Sequence, residues 1–265
     1  MIEILKKAAG AGGGVLRKYF RQPLEITQKT SIHDIVTVAD HEAQGAIVDS
    51  IRKSVAGTEL EGKIGFIGEE GLYEAGEYTF VIDPLDGTNN FSSHIPYFCV
   101  SIGMYKGRKC EAGVIYNPVE DVFYTAVKSR GAFKNDKQIT VRREERFENT
   151  AVIFTFPRSE ELKKRFFRFL TLNYHKFRTF RNFGATALDM ARFAEGVGGV
   201  IVEANCRIWD IAAGKLISEE AGGELRTWEG ESLGELDLED VEKRYIFISG
   251  NKNILNKIFK ELKSL

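Results

Sequence analysis

The sequence predicts an α/β fold in two layered halves, on three observations. Five strand-like runs crowd residues 64–127, and short turn-rich links join the last three, the pattern of an antiparallel meander. From about residue 151 strands and helices alternate instead, the texture of a layered α/β unit. At 265 residues the chain has room for one large domain or two lobes sharing an interface, burying roughly 75% of its unfolded surface without staples. No linker rich in Pro, Gly or Ser parts the halves. The polar stretch RREERFENT puts an approximate boundary near 145–150, which divides one compact unit into an N-terminal half 1–148 and a C-terminal half 149–265.

In order along the chain, Ile2, Leu5, Ala8, Ala9, Gly12, Leu16, Tyr19 and Phe20 recur at helical spacing and predict an amphipathic helix over 2–20 with small residues at its middle. Its AGAGGG run is read as close helix packing in preference to a phosphate loop, because no strand precedes it and no Gly-Lys-Ser/Thr follows. A second helix is expected over 41–55, with Ile47, Val48, Ile51 and Val55 on one face and Asp40 as its N-cap. Strands follow at 64–67, 78–82, 98–105, 111–116 and 121–127. The second half reads as strand 151–156, helix 159–172, strand 177–181, helix 185–195, strand 199–203, helix 210–221, strand 245–249 and a C-terminal helix. Within it LKKRFFRFLTL interleaves Phe with basic residues, but its apolar positions keep helical spacing, so packing against the core or a partner subunit is favoured over nucleic-acid stacking.

Composition narrows the function. Lys plus Arg (37) and Asp plus Glu (38) nearly cancel to a net charge of −1, which argues against a nucleic-acid binder working by bulk charge. Cys99, Cys110 and Cys206 are odd in number with no CxxC pair, so neither a disulfide framework nor a cysteine zinc site is suggested. A reducing, cytoplasmic setting fits. The N-terminal segment carries lysines inside its apolar pattern, unlike a signal peptide or a membrane span, and the expectation is a soluble protein. His33, His41, His94 and His175 show no metal-ligand spacing and are assigned no role.

The chemistry gathers where acids end apolar runs. In VIDPLDGTNNF (81–91) Pro84 cannot donate to a sheet ladder, so the strand is expected to stop at Asp83 and turn. Asp86-Gly87-Thr88 then reads as a sharp turn into a helix N-terminus, where free N–H groups favour an anion. Two carboxylates beside an anion cradle repel each other and a phosphate alike unless a hard, oxygen-liganded cation such as Mg²⁺ stands between them. Glu69 and Glu70 follow the apolar run GFIG, Asp210 in IWDIAAG opens a helix, and Asp34, Thr37 and Asp40 border another apolar patch. Any one of these acids could be a helix cap, whereas acids at the mouths of four apolar elements suit a multi-metal carboxylate site. The DxDGT motif of haloacid-dehalogenase phosphatases does not fit, since Asp83 and Asp86 are three apart and alternate strand residues cannot present them alike. An EF-hand fails as well, for want of its DxDxDG spacing and closing Glu.

These residues closely resemble the inositol monophosphatases, within the wider lithium-sensitive, Mg²⁺-dependent phosphatase group that includes fructose-1,6-bisphosphatase. The resemblance rests on DIVTVAD (34–40), FIGEEG (66–71), VIDPLDGTNNF (81–91), FGATALDM (183–190) and IWDIAAGKLISEEAGG (208–223), in the family's order and spacing over nearly the whole chain. It implies a five-layer α/β/α/β/α sandwich of the sugar phosphatase type, usually a homodimer, with metals at the junction of its halves. By the same resemblance Glu69, Asp83 and the carbonyl of Leu85 are the ligands of a first Mg²⁺ and Asp83, Asp86 and Asp210 those of a second, with Glu69 facing a weaker third through water. Gly87 and Thr88 would hold phosphate by backbone N–H groups, Asp40 would bond Thr88, and Lys29 would stand near the phosphate entrance. Catalysis would be in-line attack by a metal-activated water that Glu69 and Thr88 orient or deprotonate, with no phospho-enzyme.

For the substrate, a small phosphate ester, the resemblance implies that Ala185 and Thr186 meet the inositol ring and that Glu203 joins Asp86 and Asp210 in accepting its hydroxyls. Glu203 favours inositol monophosphate, because a carboxylate repels a second phosphate. The family commonly has Thr where Asn89 stands and often Gly-Thr-Ala where Gly184-Ala185-Thr186 occurs. Arg178 and Arg181 leave open a dual inositol monophosphatase/fructose-1,6-bisphosphatase, the alternative being a solvated strand edge. A regulatory binding protein of the same fold is the non-enzyme alternative, disfavoured because every implied ligand position carries its expected group. No nucleic-acid or membrane partner is expected.

Overall fold

A computed structural model describes residues 1–22, 27–31, 34–157 and 160–263. The apolar stripe of the first helix, α1 (Ile2–Tyr19), buries Leu5, Ala8, Ala9 and Leu16 together with Gly12 and Gly13. A short antiparallel pair, β1 (Thr27–Ser31) and β2 (Asp34–Val36), leads into α2 (Val38–Val55). That helix starts three residues before the sequence suggested, and Asp40 is not its cap. Thr37 is the N-cap, its hydroxyl accepting from the Ala39 N–H at 3.2 Å, and Asp40 sits at N3 and reaches back to the Thr37 N–H at 2.8 Å. A Thr three residues ahead of an acid is a capping box, and it outcompetes a lone Asp cap because it satisfies two orphan N–H groups at once.

The larger sheet contains β3 (Ile64–Gly68), β4 (Leu72–Glu74), β5 (Tyr78–Asp86), β6 (Cys99–Lys106), β7 (Lys109–Asn117), β8 (Val122–Val127), β9 (Ala132–Lys134) and β10 (Lys137–Ile139), in the spatial order β10-β9-β8-β7-β6-β5-β3-β4. All neighbours run antiparallel except β3 and β5, which are parallel. A five-residue helix, α3 (Thr88–Ser92), follows β5 directly. The second sheet, β12-β11-β13-β15-β14, comes from β11 (Ala151–Phe154), β12 (Thr179–Arg181), β13 (Val200–Cys206), β14 (Glu224–Arg226) and β15 (Tyr245–Gly250). Between these strands lie α4 (Glu160–Asn173), α5 (Thr186–Ala194) and α6 (Ile208–Glu220), and α7 (Lys252–Lys263) closes the described chain.

Alternation along each strand divides the core into three. Phe80, Ile82, Val100, Ile102 and Met104 face α1 and α2, while Val81, Cys99, Tyr105 and Ile115 face the opposite way, onto α5 and α6. Ile153, Ile201 and Phe247 of the second sheet cover the far side of those two helices, and Val152, Val200, Val202 and Ile248 pack outward on Phe166 and Phe169 of α4 and Ile254, Leu255 and Ile258 of α7. The layers therefore run α, β, α, β, α as expected. The Phe-rich helix α4 spends its buried rings on this outer layer. No helix among the described residues is long and apolar enough to cross a membrane.

The central layer is held close by two glycines. A Cβ on Gly103 would lie 3.0–3.1 Å from Ala212 atoms of α6, and one on Gly113 would lie 3.1–3.3 Å from Ala213, mostly against backbone that cannot move aside. Gly103→Val is accordingly expected to lower unfolding stability by about 2–3 kcal/mol, read from a denaturant melt. A change within 0.5 kcal/mol would mean that α6 can retreat freely.

Two expected boundaries are corrected. β5 does not stop at Asp83 but continues through Pro84 to Asp86, and α6 begins two residues before Asp210. The strand survives proline because a bulge falls there: Asp83 pairs with Ser101 and Asp86 with Cys99, so three steps on β5 span two on β6.

Candidate active site

That bulge makes the site. In a regular strand residues three apart face opposite sides, but the extra residue puts Asp83 and Asp86 on one face, opposite Ser101 and Cys99, which share a side of β6. It is the face that looks onto α5 and α6. Glu69 comes alongside from the parallel neighbour β3, its N–H donating to Ile82 O at 3.2 Å. Gln44 of α2 holds the next residue by both backbone groups, accepting from Glu70 N at 3.1 Å and donating to Glu70 O at 3.2 Å.

Beyond Asp86 the chain turns within one residue. Gly87 adopts φ 91° and caps α3, and the Leu85 N–H donates to Asp83 Oδ1 at 3.0 Å. The Thr88 hydroxyl lies 3.0 Å from Leu85 O and 3.3 Å from Asp40 Oδ1. Asp40 is itself fixed, its Oδ2 accepting from both the N–H and the hydroxyl of Thr37 at 2.8 and 2.7 Å.

The starts of the two central helices supply the far wall. Asp86 accepts from Thr186 N at 3.0 Å and Leu188 N at 3.1 Å, so it serves the first turn of α5 as a cap from another segment, and the Cys99 thiol donates to it at 3.5 Å. Asp210 is the N3 residue of α6 and takes the Arg207 N–H at 2.7 Å. Glu203, on β13 and wholly buried, accepts from the Thr155 hydroxyl at 2.7 Å and lies 3.4 Å from that of Thr186, while its Oε1 has no hydrogen-bond partner.

Electrostatics tie the acids together. Burial first, then the charges of Glu69, Asp86 and Asp210, holds the Asp83 carboxyl well above the usual carboxylate range. Burial likewise pushes Asp86 up to about 6 despite its N–H donors, and pushes Asp210 up to about 8 with Glu69 adding to the effect. Glu203 is raised as well, chiefly by burial. Among the described residues the side chains do not stand as a finished cage of three or more metal ligands. What they form is a group of mutually destabilised acids presenting oxygen atoms only, beside an orphan acceptor. Such a donor set fits a hard divalent cation, which removes the repulsion that folding has concentrated here.

A cleft of about 770 Å³ opens over this corner, and Asp86, Asp210, Glu203, Thr186, Lys163, Phe156 and Phe167 are among its lining residues. Of the residues singled out in the sequence, Glu69, Asp83, Leu85, Asp86, Gly87, Thr88, Asp40, Asp210, Thr186 and Glu203 come together, with Ala185 buried at the N-cap of α5. The side chain of Lys29, on β1, lies outside the described residues. Arg178 and Arg181 are exposed at the β12 edge of the second sheet and do not line the cleft; Arg181 is spent on Thr179 and the Phe180 carbonyl. Sequence reasoning missed Gln44, Thr155, Cys99 and Lys163. A polar residue four after Asp40 on a buried helix face is a signal for Gln44, but nothing local marks Thr155, which meets Glu203 only because β11 and β13 pair.

The profile of the inositol monophosphatase family matches residues 1–265. The chain belongs to that family. It is similar to the fructose-1,6-bisphosphatase/inositol-1-monophosphatase of Aquifex aeolicus, 34% identical over 253 residues covering 95% of this chain and 90% of that one. Inositol monophosphatase 1 of Bos taurus is 31% identical, covering 96% and 91%, and the Nus factor SuhB of Escherichia coli K12 is 32% identical, covering 87% and 86%. Among solved structures, the extragenic suppressor protein suhB of Bartonella henselae superposes with a TM-score of 0.87 at 34% identity, covering 99% of this chain and 98% of that one. The Thermotoga maritima IMPase superposes with a TM-score of 0.84 at 27% identity, covering 99% and 96%. These family members carry different names for their work, so membership indicates a phosphatase without naming its substrate.

Proposed function

We propose that the chain is a Mg²⁺-dependent phosphomonoesterase that hydrolyses myo-inositol-1-phosphate to inositol and phosphate by direct attack of water. The observation that carries this reading is the bulge that turns Asp83 and Asp86 onto one face, beside Glu69 and Asp210 and next to the Thr88–Asp40 pair. Mg²⁺ held by Glu69, Asp83, Asp86, Asp210 and the Leu85 carbonyl would polarise the phosphoryl oxygens, acidify water and offset charge on the departing alkoxide. The chain's own groups do the rest. With the Leu85 carbonyl engaged by the cation, the Thr88 hydroxyl, which lies 3.0 Å from that carbonyl and 3.3 Å from Asp40 Oδ1, would donate to Asp40, itself fixed by Thr37, and leave the Thr88 oxygen free to accept from the attacking water and orient it. Glu69 accepts the proton that water loses. The N–H groups of Gly87 and Thr88, at the tight turn, hold phosphate oxygens.

Glu203 supports the inositol reading. Its buried Oε1 lacks a partner, and a hydroxyl of a polyol ring is the kind of donor that would satisfy it. Glu203→Gln is expected to raise KM for inositol-1-phosphate about tenfold while Tm stays level or rises, because the amide is uncharged and presents N–H groups where an acceptor is wanted. Unchanged KM would remove Glu203 from ring recognition. Fructose-1,6-bisphosphate is the second reading, supported by the likeness to the Aquifex enzyme; Lys163, a cation on the cleft wall, would have to exchange its ion pair with Glu160 for the second phosphate.

Phosphate release from inositol-1-phosphate, fructose-1,6-bisphosphate and 3′-phosphoadenosine-5′-phosphate, with Mg²⁺ and with chelator, tests the reading. Magnesium-dependent turnover led by the inositol ester is expected. Turnover led by the bisphosphate would transfer the assignment to the second reading, and none from any ester would favour a regulatory binding protein, as the likeness to the Nus factor suggests. The same proposal includes a cytoplasmic homodimer.

A further inference from the structure

Asn90 has no part in the chemistry described above, yet its side-chain amide joins the two walls of the site. It donates to Tyr97 O at 2.8 Å and Phe183 O at 2.7 Å, with Gly184 O at 3.4 Å. Tyr97 follows the phosphate-holding turn and leads into β6, whereas Phe183 and Gly184 lead into Ala185 and Thr186 at the start of α5. Tyr97 strengthens the link twice: its hydroxyl donates to Asp189 Oδ1 of α5 at 2.6 Å, and its ring lies 5.2 Å from that of Phe183, tilted by 33°. Gly87 is enclosed between the same parts, since a Cβ there would stand 3.0 Å from Tyr97 O and 3.1 Å from Ala185 Cβ.

We infer that Asn90 is a positioning residue that sets the spacing between the turn gripping phosphate, at Gly87 and Thr88, and the helix start meeting the polyol ring, at Ala185 and Thr186. The inference rests on the phosphomonoesterase reading above and adds to it a residue that couples ring recognition to phosphate recognition. The amide is the necessary group. Its two N–H donors face carbonyl oxygens, and a carboxylate of the same shape would set acceptor against acceptor.

The test compares Asn90→Ala and Asn90→Asp with wild type in kcat and KM on inositol-1-phosphate, in the competitive inhibition constant of inorganic phosphate, which has no ring, and in Tm. For Asn90→Ala kcat/KM on the ring-bearing ester is expected to fall on the order of tenfold, and for Asn90→Asp further, while the phosphate inhibition constant moves less than about threefold. Asn90→Asp matching wild type, or both probes weakening equally, overturns the inference, because a packing role tolerates the isostere and a general loosening spares neither probe. Where the Asn90 variants do not fold, Phe183→Ala carries the test: Phe183 is exposed, its loss loosens the same link, and the same ring-selective loss is expected, with its absence overturning the inference. A wild type with no Mg²⁺-dependent turnover marks the failure of the phosphomonoesterase reading, which is distinct from an active wild type whose variants lose no ring selectivity.

Discussion

Asp83→Asn is expected to cut phosphate release on the order of 10³-fold and at the same time to make the chelated protein more stable. Both effects follow from one fact: Asp83 is buried among Glu69, Asp86 and Asp210, whose charges all oppose its ionisation. The amide keeps the shape, and its carbonyl oxygen can still accept from the Leu85 N–H, 3.0 Å from Asp83 Oδ1. Replacing a carboxyl whose ionised form burial and three neighbouring acids oppose, without leaving a hole, should add about 1–2 kcal/mol, or roughly 2–6 °C in Tm for a chain of this size. With Mg²⁺ in the proposed site the ranking should reverse: wild type would gain stability by mass action from a cation that binds the folded state alone, and the variant, short of one proposed ligand, would gain little. Thermal melts of both proteins with chelator and with millimolar Mg²⁺ read all of this directly; a chelated variant that melts lower than wild type would show that the acids are already neutralised within the protein.

Gly87→Ala is the second large effect. Gly87 lies at φ 91°, a backbone region that costs a residue with a side chain about 1–3 kcal/mol. The new methyl also presses on Tyr97 O at 3.0 Å and on Ala185 Cβ at 3.1 Å, which are the opposed walls of the site. Stability should fall by about 2–4 kcal/mol and turnover on the order of 10²-fold, because relieving the contact shifts the turn that carries Thr88 relative to the Tyr97 and Ala185 segments it faces. Gly45→Ala serves as the control, since it lies within α2 with nothing within 4 Å of an added Cβ, and it should stabilise slightly through helix propensity. Equal behaviour of the two variants would mean that the turn at Gly87 is not conformationally demanding.

Much of this arrangement was legible in the residues. Helical spacing from Ile2 to Phe20 marked α1 to within one residue of its observed end at Tyr19, and the three runs between 98 and 127 appeared as the expected meander β6-β7-β8. Acids at the ends of apolar runs marked the corner where they meet. The errors share a cause. Asp40 and Asp210 each looked like the opening residue of a helix and each proved to be its N3 residue, because an acid can hydrogen-bond the start of a helix from either position and only the preceding residue's backbone decides which. Pro84 looked like the end of a strand because its lost N–H matters only where a partner carbonyl waits for it, and a bulge removes that demand.

The sequence by itself determined the chemical inventory of this protein: which side chains are hard oxygen donors, which turn carries a glycine, and the order in which these pieces come. These are properties of single residues and of spacings within one element, where periodicity and covalent geometry act over a few residues. Tertiary structure alone decided that Asp83 and Asp86 face the same way, that Asp86 caps a helix 100 residues further on, that Glu203 keeps a buried oxygen without a partner, and that Arg178 and Arg181 stand outside the cleft. Each of those depends on the register of one strand against another or on which helix fills the layer between two sheets, and burial, not spacing, sets them.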